Sequence, residues 1–141
     1  MFFFKVQNIF QKETSKHIIT IGSFGGICGG IALAGVGATP SDLYLNLHII
    51  FATWLFRFFL ISALSYSIII WQSALIENKY ALGYFVFTIA ILIYIIISEF
   101  GPSPKSSTFA LNLQVVSQKI ILFIFLIAIY VQTLGIQKLR K

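Results

Sequence analysis

Ile18-Ile-Thr-Ile-Gly-Ser-Phe-Gly-Gly-Ile-Cys-Gly-Gly-Ile-Ala-Leu-Ala-Gly-Val-Gly-Ala38 is the stretch that decides the fold. Seven of the chain's ten glycines fall in it, between Gly22 and Gly37, and polar residues flank it on both sides. At about 21 residues it is long enough to cross a bilayer. In water each glycine would cost a helix on the order of 1 kcal/mol relative to alanine. In lipid an unsatisfied backbone costs far more, so the segment closes into a helix and its glycines become a flat surface for close packing. Gly22, Gly26 and Gly30 repeat every four residues and share one face; Gly25 and Gly29 form a second, adjacent row.

The rest of the composition agrees. Of 141 residues, 58% are hydrophobic and only 10% charged, more apolar surface than a soluble domain can hide. No polar block is long enough for a separate soluble domain, so residues 1–141 read as one integral-membrane domain. The net charge of +6 would point to nucleic acid in a soluble protein. Here the lysines lie between the apolar segments, where membrane orientation explains them, and no nucleic-acid partner is expected. Cys28, the single cysteine, has no partner for an internal disulfide and reads as a small packing residue.

Three further apolar segments follow the first, giving spans at about 18–38, 45–71, 80–98 and 115–134. The runs are solidly apolar with no period-two alternation, which excludes a β-barrel pattern. The sequence predicts an all-α polytopic membrane bundle of four transmembrane helices, preceded by a cytoplasmic or interfacial segment, residues 1–17. Within that segment Phe2, Phe3, Val6, Ile9 and Phe10 recur at helical spacing between polar residues. They suit either an interfacial amphipathic helix or the tail of a span lying before Met1. With the N-terminus inside, Lys5, Lys12, Lys16, Lys79, Lys138, Arg140 and Lys141 lie on the inner side and only Lys105 and Lys119 on the outer. That bias predicts both termini cytoplasmic, in a plasma or cell membrane.

Thr39-Pro40-Ser41-Asp42 has the form of a helix start, an N-cap threonine before a proline at the first helical position, with an acid three after the cap. The outer loop Gly101-Pro-Ser-Pro-Lys-Ser-Ser-Thr108 is rich in turn formers, and residues 109–116 look like an amphipathic lead-in to the last helix.

Ionisable groups at membrane depth are the first places to look for function. Arg57 is the strongest, near the middle of the second span and on one face with Asn46, Ile50 and Thr53. Three readings suit it: an ion pair with Glu99 at the outer end of the third span, a contact with an anionic lipid headgroup, or snorkelling to the interface alone. His48 lies nine residues before Arg57 and so on the opposite face. Asp42 and His48 are six apart, about 120° around a helix, too far round for a local acid–base pair. Gln118 and Lys119 open the last span on the outer side, where Lys119 with Glu99 makes at most a weak surface pair. Together Asp42, His48, Glu99, Gln118 and Lys119 are read as a polar outer vestibule above Arg57, suited to a lipid headgroup or small polar ligand. The chain has no HExxH, CxxC, nucleophile elbow or phosphate loop, so neither a metal nor a cofactor is expected.

The glycine-rich span, then Gly35-Val-Gly-Ala-Thr-Pro-Ser-Asp42, then His48, then the late Gln118-Lys119, resembles the DRAM/Frag-type family of small multi-pass membrane proteins. Pro40, Asp42, His48, Gln118 and Lys119 are the matching positions. The resemblance implies a helical bundle, usually of five or six spans, with a role in membrane-lipid handling or scaffolding and no agreed catalytic mechanism. Four spans with an apolar stub at Met1 to Phe4 depart from that count, as a chain lacking its first span would.

The expectation is a non-catalytic, lipid-associated or partner-binding membrane protein. Its glycine helix packs either inside the bundle or between copies, as a homo-oligomer would need. Two rivals are a homo-oligomeric transporter of an anionic solute, through Arg57, and an intramembrane lipid-modifying enzyme built on His48 and Asp42.

Overall fold

The computed structural model describes residues 13–73 and 77–139. Among them every regular element is helical: α1 is Glu13–Ala38, α2 is Leu45–Gln72, a 3-10 turn at Asn78–Tyr80 leads into α3, Ala81–Phe100, and α4 is Thr108–Leu139. The stretches Lys16–Ala38, Leu45–Gln72, Lys79–Phe100 and Thr108–Gly135 are each long and apolar enough to cross a membrane. Large apolar side chains stand exposed on all four helices, among them Phe24, Ile50, Ile93 and Phe123. Water disfavours such a surface and acyl chains accommodate it. The fold is all-α, and the protein is an integral membrane protein. The chain divides into two units, residues 1–69 and 70–141, built respectively on the hairpin of α1 with α2 and the hairpin of α3 with α4.

The helix ends differ from the sequence reading in three places, each for a local reason. Thr39 closes α1 instead of opening α2: its Oγ1 and its N–H both donate to the Gly35 carbonyl, at 2.7 and 3.0 Å. Pro40 accepts from the Leu43 and Tyr44 N–H groups in a separate turn, and α2 begins only at Leu45. At the other connection α4 starts at Thr108, so residues 109–116 are its first turns and not a separate lead-in. Ser107 is the cap, its Oγ accepting the Ala110 N–H at 3.1 Å. Gly101 ends α3 by donating its N–H to the Ile97 carbonyl at 2.8 Å, an approach so close that a Cβ at position 101 would fall on that oxygen. The residue 1–12 segment, with its two readings, lies outside the described residues.

Buried positions recur at alternating three- and four-residue steps. On α1 they are Gly22, Gly25, Gly29 and Ala32; on α2 Ala52, Leu55, Phe59, Ser62, Tyr66 and Ile69; on α3 Tyr84, Phe87, Ile91 and Tyr94. A 3.5-residue period keeps a seam on one side of a helix that turns every 3.6 residues, whereas strict steps of four drift around it. The packed row on α1 is therefore Gly22–Gly25–Gly29, and it cuts across the Gly22–Gly26–Gly30 row expected from the sequence. Gly26 is half-buried, while Gly30 is exposed with nothing within 4 Å of where its Cβ would be.

In the first hairpin the glycines let two backbones meet. A Cβ on Gly22 would stand 2.8 Å from Ser65 Cβ, and one on Gly25 would stand 3.0 Å from the Phe58 carbonyl oxygen. The rings of Phe59 and Phe51 fill the spaces that side chains at positions 29 and 35 would otherwise take. Ser23 Oγ and Tyr66 Oη share a hydrogen bond of 2.8 Å across the same interface. A double-mutant cycle on Ser23→Ala and Tyr66→Phe should return a coupling of about 0.6 kcal/mol, the usual worth of one hydrogen bond between membrane helices. Thermal or denaturant unfolding in detergent micelles reads it; zero coupling would make the contact incidental.

The second hairpin packs larger groups. Phe87 meets Phe125 with ring centroids 5.1 Å apart, and Gly83 lies against Val131 and Ala128. Near the start of α3 the Tyr80 ring seats on Gly135, and the buried Gln132 amide donates to the Tyr80 carbonyl.

Candidate functional site

Six hydroxyls in the helices serve the helix that carries them. Thr20, Ser65, Ser67, Thr88, Ser117 and Thr133 each donate to the carbonyl four residues back, at 2.7 to 2.9 Å. Groups that look polar in sequence are thereby neutralised in place. The exceptions mark where polarity is used between helices: Ser23 with Tyr66, Gln132 with Tyr80, and Gln118, whose Nε2 donates to Tyr94 Oη at 2.9 Å.

The sequence-predicted residues divide between the two units. In the first, Asp42 is exposed on the 39–44 turn, beside a shallow, open depression of about 490 Å³ lined by residues 43–47. His48 is half-buried, and its Nδ1 lies 2.7 Å from the Thr39 carbonyl oxygen. A carbonyl only accepts, so Nδ1 carries the proton and His48 ties the first turn of α2 to the end of α1. His48 thus takes a backbone partner, not Asp42. In the second unit Glu99 is exposed at the end of α3, while Gln118 is half-buried against Tyr94 and Lys119 is exposed on α4. Lys79 pairs with Glu77 and stands over the Tyr80 ring, an exposed arrangement of little energetic weight. Among the described residues no three His, Cys, Asp or Glu side chains come together as a metal would require.

Arg57 is the residue whose surroundings say most. Opposite its buried seam, α2 carries an exposed one at the same spacing: Leu47, Ile50, Trp54, then Ile61, Leu64, Ile68 and Trp71. Arg57 falls in the gap between Trp54 and Ile61 and is the stripe's one charged member. Its guanidinium carbon lies 5.5 Å from the centroid of the Trp54 ring, which itself stacks on Phe58 at 5.5 Å. The position is half-buried. Stacking on an indole face is a favourable contact for guanidinium and does not use up its N–H donors, which lie in the guanidinium plane.

Trp54 was not singled out by the sequence reading, nor were Tyr66, Tyr94 and Gln132. For Trp54 the signal was present: an aromatic three residues before an arginine lies on the same helix face. For the tyrosines and Gln132 it was absent, because their partners lie 24 to 52 residues away in sequence. Comparison with protein-family models, with curated proteins and with solved structures finds no match to this chain.

Proposed function

We propose that this chain is a non-catalytic multi-pass membrane protein that associates with lipid and serves as a membrane scaffold. The observation that carries the reading is Arg57 over Trp54 on the exposed stripe of α2. A cation on an outward-facing apolar surface meets whatever borders the protein there, and around a membrane helix that is first of all lipid. The glycine seam supports the scaffold half of the reading, since it spends α1's smallest residues on rigid packing inside the first hairpin.

Orientation follows from charge. Seven lysines and arginines against two support a reading with both termini on the cytoplasmic side of a cell membrane. Four crossings then bring the 39–44 turn and the 101–107 loop to the outer side, each unit presenting its own polar groups there. Asp42 and His48 come from the first, Glu99, Gln118 and Lys119 from the second. The resemblance to the DRAM/Frag-type family agrees with a lipid-handling role.

Native mass spectrometry of the protein released from mild detergent tests this. The expected result is a chain retaining anionic lipid, with the retained fraction falling severalfold on Arg57→Gln. A lipid-free oligomer would instead favour a transporter of an anionic solute assembled from several copies.

A further inference from the structure

The chain's two tryptophans lie on the same exposed stripe of α2, 17 residues apart. Along a helix that is about 26 Å. Tryptophan collects where acyl chains meet headgroups, and a hydrocarbon core is about 30 Å thick. Trp71 sits where the apolar run stops, with Gln72 and Ser73 next. On α1, Lys16 precedes Gly22 by six residues, the same interval by which Trp71 follows Ser65, the residue Gly22 abuts.

With Trp71 at one boundary, Trp54 marks the other. The first residues of α2, carrying Asn46 and His48, then stand among headgroups although they are helical. Arg57 lies one turn inside Trp54, and its side chain runs back over the Trp54 ring, toward that boundary, as helical side chains do. This puts the guanidinium just beneath the phosphate layer. Its planar fork matches a phosphate, the indole N–H supplies one more donor, and Ile50 and Ile61 offer apolar surface to the acyl chains on either side.

We propose that Arg57 and Trp54 form a binding site for the phosphate of an anionic phospholipid, in the leaflet nearer the 39–44 turn. The proposal rests on the lipid-associated reading above and assigns it a place.

Trp71→Phe leaves Trp54 as the sole tryptophan, excited selectively at the red edge of absorption. This variant, reconstituted in phosphatidylcholine vesicles, is titrated with acyl-brominated phosphatidylglycerol or, at equal mole fraction, acyl-brominated phosphatidylcholine. The phosphatidylglycerol should quench Trp54 as though enriched about fivefold over bulk, the effect of one cationic side chain on an anionic lipid. Bromines near the headgroup should quench more than bromines near the chain ends. Adding Arg57→Gln should bring the two lipids to parity, and Arg57→Lys should keep part of the preference.

Equal quenching by both lipids with Arg57 present would overturn the site. So would a Trp54 that neither lipid quenches, because the stripe would then be covered by protein, as a partner helix would cover it. The native mass spectrum separates this from failure of the broader reading. Anionic lipid retained equally by wild type and Arg57→Gln leaves the lipid association standing and removes the site. A wild type that retains no lipid removes both.

Discussion

Gly25→Leu should pry the first hairpin apart, while Gly30→Leu, five residues on, should leave it intact. A Cβ at position 25 would already lie 3.0 Å from the Phe58 carbonyl oxygen and 3.3 Å from the Ser62 nitrogen. Both are backbone atoms, so no rotamer change relieves the contact and the helices must separate. Separation removes the hydrogen bond between Ser23 and Tyr66 and the seating of Phe59 against Gly29. Adding methylenes to a packed core costs about 1–3 kcal/mol. A whole isobutyl group against fixed backbone belongs at or beyond the upper end of that range. At position 30 an added Cβ meets nothing within 4 Å, and the position is exposed, so the rest of the side chain can project from the hairpin. Thermal unfolding and size-exclusion profiles of the two variants in one detergent read the difference. The reverse ranking, with Gly30→Leu the damaging change, would show that α1's working face is the one turned outward. That is the face a second copy would use.

Phe87→Ala should be the most destabilising truncation in the second hairpin, by about 3 kcal/mol. Phe87 is 1% exposed, and its ring packs against Phe125. Helices in lipid gain nothing from hiding apolar surface from water, so the loss comes from dispersion contacts that a cavity forfeits. Phe85, two residues away on the same helix, is 52% exposed. Phe85→Ala should change stability by less than about 0.5 kcal/mol, as surface substitutions away from the packed seam do. Denaturant unfolding in mixed micelles measures both. Equal effects would mean that the hairpin's packing does not run through Phe87.

Why was the helix content so legible and the site so much less so? The four spans announce themselves because the length of an apolar run is a local property. Charge runs such as Lys138 to Lys141 likewise declare themselves without a partner. Which glycines pack depends on the helix opposite. Every-four spacing marked two rows, Gly22–Gly26–Gly30 and Gly25–Gly29. Only Ser65, Phe58 and Phe59 on the facing helix show that the packed seam takes Gly22, Gly25 and Gly29 and leaves Gly30 out. Thr39 illustrates the same limit at a helix end. Thr-Pro-Ser-Asp has the form of a helix start, and only the Gly35 carbonyl, one turn back, shows which helix the threonine serves.

Arg57 was legible as a charge in a span, yet its direction was not. The helical wheel put it on one face with Asn46, Ile50 and Thr53. The structure sets it on the exposed stripe that includes Ile50, over the ring of Trp54. An arginine's role depends on where a long side chain goes, and sequence fixes only where it starts. His48 gives the complementary case: a residue that sequence offers to chemistry is used to tie the first turn of α2 to the end of α1.

The hydroxyls that donate back along their own helices bear on how the protein is made. A helix leaving the translocation channel must satisfy its polar groups before any neighbour arrives. Ser65, Ser67, Thr88 and Thr133 are already answered from within α2, α3 and α4. Ser23 instead pairs with Tyr66, 43 residues later. The glycine-rich first helix, whose Ser23 and glycine seam find their partners on α2, is expected to linger at the channel until α2 is synthesised, so that the two enter the bilayer as a pair.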